Sequence, residues 1–348
     1  MRKWFWVALL VLVAIAVTIG GSRFFQQRPS SVGTQFQQVT PQRVESSNFD
    51  AAKIPQLLSA PHVESKQLFR HIKALNFKRY TQAERDRARD YLTQSLKKLG
   101  WSPTLQPFEG GVNIIAQRQG TAPEAGAILV AAHYDTVPGS PGADDNASGV
   151  AVVLEVARLF GSRPTPRTLQ LAFFDQEELG LRGSIAFAAN KAHLENLRGV
   201  IVMDMVGFAC YTPGCQRYPT GLPIIPSTNR GDFLAVVGDS EHLPLIEAFQ
   251  QSTQPGLPPV LTLPVPLKGI LIPDTLRSDH APFWYQGVGA VLLTDTANLR
   301  TPHYHQASDT PATLDKPFFT GVAQIVVNTT TMLLDRDHLE TQLSTSPD

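Results

Sequence analysis

Two rhythms of apolar residues run along the chain after residue 80. The first is helical: Ala88, Tyr91, Leu92 and Leu96 share a face, Thr81-x-x-Glu84 stands before them as a capping box, and Gly100 supplies the stop. The second is a set of short apolar runs, Val112 to Ala116, Ala127 to Ala132, Leu169 to Phe174 and Val200 to Met205, with a helix near Gly149 to Phe160 among them. Such runs suit strands covered on both faces by helices. Phe233 to Val237, a helix around Pro244 to Gln251, a strand at Ala290 to Thr294 and a closing helix from about Pro317 to Leu334 continue the alternation. The pattern predicts one α/β domain with a central, mostly parallel or mixed sheet flanked by helices, without internal repeat or second domain boundary.

The first 50 residues break this pattern. Arg2 and Lys3 precede an uncharged run from Trp4 to Ser22, enough apolar length to cross a bilayer with the basic end inside. The expected division is a signal-anchor or signal peptide over 1–22, a flexible tether rich in Gln, Ser, Pro and Thr over 23–50, the folded domain over 51–340 and a tail over 341–348. Ala14-Ile15-Ala16, a small-x-small tripeptide, lies inside the apolar run rather than after it, which favours an uncleaved membrane anchor over a cleaved leader. Either way the domain is expected to be exported, periplasmic or extracellular. In an oxidising compartment the two cysteines, Cys210 and Cys215, are expected to close a local disulfide around Pro213 and Gly214, with two free thiols as the alternative. Lys plus Arg and Asp plus Glu both total 30 and no basic stripe occurs, so nucleic acid is excluded as a partner.

The polar residues cluster where the apolar runs end, and in open α/β sheets ligands gather beyond the carboxyl ends of strands. His133-Tyr134-Asp135 follows one run and pairs an imidazole with a carboxylate able to fix its tautomer, so His133 is a candidate metal ligand and Asp135 its orienting group. Gly142-Ala143-Asp144-Asp145-Asn146-Ala147-Ser148-Gly149 leads into the helix near 149–160. Capping accounts for one acid there but not for Asp144 and Asp145 side by side; a carboxylate shared by two cations would offset their repulsion. Glu177 and Glu178 follow a third run and can divide labour, one binding metal and its neighbour moving the proton of an activated water, although an acidic turn after a strand is common. Asp204 is a lone acid in an apolar strand, which requires a metal or salt-bridge partner. His305 and Asp309 offer a further imidazole and carboxylate, and Ser278-Asp279-His280 opens an aromatic turn through Phe283, Trp284 and Tyr285. Two histidines and three carboxylates, one of them shared, make two N/O sites of the kind zinc accepts. A serine hydrolase is disfavoured, since no Gly-x-Ser-x-Gly elbow occurs.

The ordered set His133-Tyr134-Asp135, Gly142 to Gly149, Glu177 to Ser184, Asp204-Met205 and His305 resembles the co-catalytic di-zinc aminopeptidase family, over roughly residues 64–335. The resemblance implies a zinc-exopeptidase fold, two Zn2+ ions, and hydrolysis of the N-terminal bond of peptides with a free amino terminus. It implies that Asp144 bridges both zincs, with His133 and Asp204 completing one site and Glu178 and His305 the other. It makes Glu177 the general base and Asp135 the orienting carboxylate, with a cis peptide at Asp144-Asp145 and with Asp145, Asp279 and Tyr304 lining the site. The same family contains glutamate carboxypeptidases and glutaminyl-peptide cyclotransferases. The cyclase is the nearest rival, and Tyr304 before His305 together with Asn146 after the acids resembles the peptidase side. A non-catalytic binding module is the rival from another class, though such a member is expected to lack Glu177 or a ligand, and this chain keeps them all.

Overall fold

The computed structural model describes residues 59–222 and 226–344, with side chains to residue 335. The expected anchor over 1–22, the tether over 23–50 and the last residues of the tail lie outside the described residues. Within them the helices are α1 (Ser65–Ala74), α2 (Gln82–Lys98), α3 (Ala147–Phe160), α4 (Arg182–Ala188), α5 (Lys191–Leu194), α6 (Leu243–Gln251), α7 (Ala281–Tyr285) and α8 (Lys316–Ser344). The strands are β1 (Thr104–Phe108), β2 (Gly111–Arg118), β3 (Ala127–His133), β4 (Thr168–Phe174), β5 (Leu197–Met203), β6 (Leu234–Asp239), β7 (Val260–Val265) and β8 (Ala290–Thr294).

All eight strands join one mixed sheet in the order β1-β2-β4-β3-β5-β8-β6-β7. Its centre, β4-β3-β5-β8, is parallel. Those four carboxyl ends therefore lie along one edge of the sheet. The β1-β2 hairpin pairs antiparallel onto β4, and at the other flank β6 runs against β8 with β7 parallel to it.

The pleat sends alternate residues to opposite layers. Ile128, Val130 and Ala132 of β3, with Ile201 and Met203 of β5, enter a core shared with α1, α2, α3, α6 and α8. Leu129 and Ala131, with Val200 and Val202, enter a second core with Phe187, Phe283 and Trp284. His133 keeps the parity of Leu129 and Ala131, and Asp204 that of Val200 and Val202, so both emerge on the second face. Ala131 pairs with Val202, so continuing that register sets His133 beside Asp204.

Helix starts are fixed by local chemistry. Thr81 accepts from the Glu84 amide while the Glu84 side chain accepts from the Thr81 amide, the reciprocal cap expected from the sequence. The stretch Lys316–Asp335 of α8 is apolar and long enough to cross a bilayer, yet 72% of it is buried, and Phe318, Phe319, Val322 and Val326 are spent on the core. A disulfide joins Cys210 and Cys215.

Between α1 and α2 the buried His71 shares a hydrogen bond of 2.7 Å with the Tyr91 hydroxyl. Burial, then the charge of Arg70, lowers its pKa to about 4. The folded state thus holds the ring neutral, whereas the unfolded chain takes a proton near pH 6.5. Stabilisation from this residue is present above that pH and is lost as pH falls toward 4. Between about pH 7.5 and about pH 5 it should cost wild type about 2 kcal/mol. Urea unfolding of wild type and His71→Gln at both values checks this. The gap between them should shrink or reverse on acidification, and a gap independent of pH would contradict a buried neutral imidazole.

Candidate metal centre

Three of the strand ends supply the acids and the first imidazole. His133 closes β3, Glu177 and Glu178 sit three and four residues past β4, and Asp204 follows β5 directly. The loop before α3 brings Asp145, and the loop after β8 brings His305.

Asp145 lies between the two histidines. Its Oδ1 is 3.4 Å from His133 Nε2 and its Oδ2 is 3.3 Å from His305 Nε2. Asp204 Oδ1 is 3.4 Å from the same nitrogen of His133, and Glu178 Oε2 is 3.1 Å from that of His305. Candidate ligand atoms of His133, Glu177 and Asp204 lie within 4.8 Å of one another, as do those of Asp145, Glu178 and His305.

These separations suit ligands around a cation better than hydrogen bonds. Tetrahedral zinc with bonds of about 2.0–2.1 Å sets its ligand atoms about 3.3 Å apart, the edge of the tetrahedron. Nε2 of the buried His133 and Oε1 of Glu178 have no hydrogen-bond partner. Asp135, Asp145, Glu177, Glu178, Asp204, Asp279 and Asp309 crowd around two imidazoles and one guanidinium, a charge imbalance that divalent ions would relieve. The donor set fits zinc.

The adjacent acids divide differently from the expectation. Asp145, not Asp144, faces both histidines, and the cis peptide is Asp145-Asn146 rather than Asp144-Asp145. Asp144 turns away, accepting 2.9 Å from the Gly207 amide and facing Asp295. Burial and the facing Asp295 push Asp144 well above the carboxylate range. Burial acts the same way on Asp145, but contacts with His133 and His305 outweigh it and hold that group below its ordinary value. Asn146 takes the capping role, its Oδ1 accepting from Gly149 and Met205 amides and its Nδ2 donating to Met203 carbonyl. Three consecutive polar residues thus serve a brace, a candidate ligand position and a cap.

Carboxylates behind the centre hold its loops. Asp135 lies 3.3 Å from His133 Nδ1 and accepts the amides of Glu177 and Glu178 at 3.1 and 3.2 Å, so it orients the imidazole and fixes the turn carrying both glutamates. Asp309 accepts the amides of Asp144 and Asp145 at 2.8 and 3.0 Å. Its backbone role was not foreseen from sequence, nor was the buried Arg79, which gives its guanidinium to carbonyls of the same loops.

Desolvation dominates the electrostatics. It raises Glu177 well above the carboxylate range, reinforced by Asp204, Asp279 and Glu178 and opposed by His133. Burial and Asp145 raise Glu178 to about 7 against the pull of the imidazoles. Asp279, fully buried with both oxygens lacking hydrogen-bond partners, rises to about 7 for the same first reason. Burial lowers His305, but Asp145 and Glu178 outweigh it and the ring rises to about 10. Tyr304 stacks on His305 at 3.7 Å, and its hydroxyl accepts from Arg277 at 3.0 Å.

A cavity of about 490 Å³ opens from Asp145, Glu177, Glu178, Asp204 and His305 onto the second face of the sheet. Ala235 and Val237 of β6, Leu261 and Leu263 of β7 and Leu292 of β8 line it, with Tyr218 and Phe233 beside them and Arg217 and Arg277 also in its wall.

The sequence pattern described as Peptidase family M28 matches residues 113–330, more than half of the chain. A protein of Escherichia coli K12, YfbL, itself described only as uncharacterized, is 32% identical over 266 residues, 71% of this chain and 79% of its own. Aminopeptidase YwaD of Bacillus subtilis is 44% identical over 82 residues, 23% of this chain and 18% of its own. The solved aminopeptidase of Aneurinibacillus sp. strain AM-1 shares the fold, with TM-score 0.62 at 18% identity over 79% of this chain and 95% of its own. So does Bacteroides thetaiotaomicron glutaminyl cyclase, with TM-score 0.57 at 19% identity over 78% and 99%.

The division between the neighbouring acids is testable by metal content. Asp145→Asn should lower bound zinc by about tenfold or more, while Asp144→Asn, a neutral isostere that keeps an acceptor for the Gly207 amide, should keep near wild-type zinc. Elemental analysis after gel filtration decides, and the reverse order would return the bridging position to Asp144.

Proposed function

The chain belongs to peptidase family M28, and from that premise we propose that it is a zinc-dependent aminopeptidase that hydrolyses the N-terminal bond of peptides. The observation that carries the reading is Asp145 spanning His133 and His305 at 3.4 and 3.3 Å, with Asp204 and Glu178 completing two ligand sets beside one cavity. His133, Asp145 and Asp204 would hold one zinc and Asp145, Glu178 and His305 the second. Zinc held there supplies Lewis acidity toward the scissile carbonyl and a water acidified toward neutral pH.

The chain's own groups do the rest. Glu177 is the general base: its raised pKa suits a carboxylate that accepts the water proton and passes it to the leaving nitrogen. Asp135 keeps His133 in one tautomer and holds Glu177 on its turn through the main chain. Tyr304, its hydroxyl held by Arg277, stands at the cavity wall where it can donate to the polarised carbonyl. The apolar lining from Ala235 to Leu292 accepts the first side chain and excludes water from it. The disulfide is consistent with an exported location, the N-terminal apolar run serving as membrane anchor.

Two measurements test this reading. Aminoacyl reporter substrates and an N-terminal glutaminyl peptide, offered in parallel to the purified protein with and without chelator, separate peptidase from cyclase. Chelator-sensitive release of the reporter supports the proposal, and cyclisation without hydrolysis rejects it. Glu177→Gln should retain zinc and lose about 10²–10⁴-fold in kcat. A variant with near-normal turnover would remove Glu177 from the base role.

A further inference from the structure

Arg79 lies outside residues 113–330, in the segment between α1 and α2, yet it is fully buried against the centre. Its guanidinium makes five hydrogen bonds, and all of them end on main-chain carbonyls. Nε donates to Tyr134 at 2.7 Å, Nη1 to Leu75, to Phe77 at 3.0 Å and to Pro141 at 2.8 Å, and Nη2 to Gly142 at 2.8 Å. Its own amide donates to Thr136 Oγ1 at 2.9 Å, and its carbonyl accepts from the Thr136 amide at 3.3 Å.

We infer that Arg79 is a positioning residue that clamps the two ligand-bearing loops together and so sets the separation of His133 from Asp145. The clamped carbonyls mark the place: Tyr134 stands between His133 and Asp135, while Pro141 and Gly142 open the turn that delivers Asp145. Gly142 has φ of +62°, and a Cβ there would meet Asp145 O at 2.2 Å, Thr136 Cγ2 at 2.4 Å and Arg79 Nη2 at 2.7 Å. Turn, guanidinium and ligand loop are therefore packed in direct contact.

The choice of carbonyl partners has a chemical reason. A buried arginine paired to a carboxylate would consume one of the acids that the centre needs. Held by carbonyl dipoles, Arg79 keeps its charge and leaves every acid free, while its field still acts on Asp309, Asp145, Asp135 and Glu178. Lysine cannot do this, because an ammonium has three donors and no planar fork to span several loops.

The inference rests on the zinc reading above, so the experiment reads metal affinity separately from turnover. Arg79→Lys and Thr136→Val are compared with wild type in three measurements: thermal unfolding in chelator, zinc affinity by competition with a chromogenic chelator, and kcat and KM on an aminoacyl reporter. For folded Arg79→Lys, zinc affinity should weaken about 10–100-fold and kcat should fall about tenfold or more, with KM within about threefold of wild type. Thr136→Val keeps the guanidinium and loses one tether, so its zinc affinity should weaken several-fold in the same direction. Should Arg79→Lys fail to fold, Thr136→Val decides alone. Wild-type zinc affinity and kcat in the folded variants, with only the metal-free melting temperature lowered, would overturn the inference. If wild type binds zinc but releases no reporter, the aminopeptidase reading falls and the zinc comparison still decides for Arg79.

Discussion

Like charge crowded into a dry space is the constraint around which this molecule is organised. Asp145 faces an imidazole with each oxygen, the buried Glu177 and Asp279 stand near it, and the half-buried Glu178 and Asp204 close the group at the cavity. Left alone, such a group of acids would protonate or push its loops apart. The fold opposes the second outcome through the main chain. Asp135 and Asp309 each hold two amides of a turn that carries candidate ligands, and Arg79 gathers carbonyls from both sides of the centre. Divalent cations would oppose the first.

The parallel centre of the sheet makes that convergence inexpensive in chain length. β3, β4 and β5 deliver His133, the two glutamates and Asp204 to one edge because their carboxyl ends coincide, and pleat parity puts His133 and Asp204 on one face. The reversal at β6 does the complementary task. With β6 and β7 running the other way, that flank offers strand interiors instead of strand ends, and it becomes an apolar floor beside the polar edge.

Much of this was legible in the residues. The runs at 127–132, 169–174 and 290–294 became β3, β4 and β8 nearly to the residue, since buried parallel strands are apolar on both faces and leave an unmistakable block. β1 and β7 were not foreseen: their side chains are largely exposed or half-buried, Pro107 and Pro264 interrupt them, and edge strands lack the block that marks the centre. The candidate ligands His133, Glu178, Asp204 and His305 are brought together in space. The choice between Asp144 and Asp145 was not legible, because it depends on which carboxylate meets the Gly207 amide, a contact 63 residues away in sequence. Arg79 gave no signal for the same reason: a cation that binds only carbonyls has no partner side chain to betray it.

The two ends of the cavity descend from different parts of the sheet, and that separation bears on how such a protein can diversify. Its floor at Ala235 and Val237 belongs to β6, and that at Leu261 and Leu263 to β7, two strands whose ends carry none of the candidate ligands. Substitutions there can reshape what the hollow admits while leaving the cluster of acids and imidazoles intact, so the shape of the hollow can drift by single steps while the polar edge stays fixed.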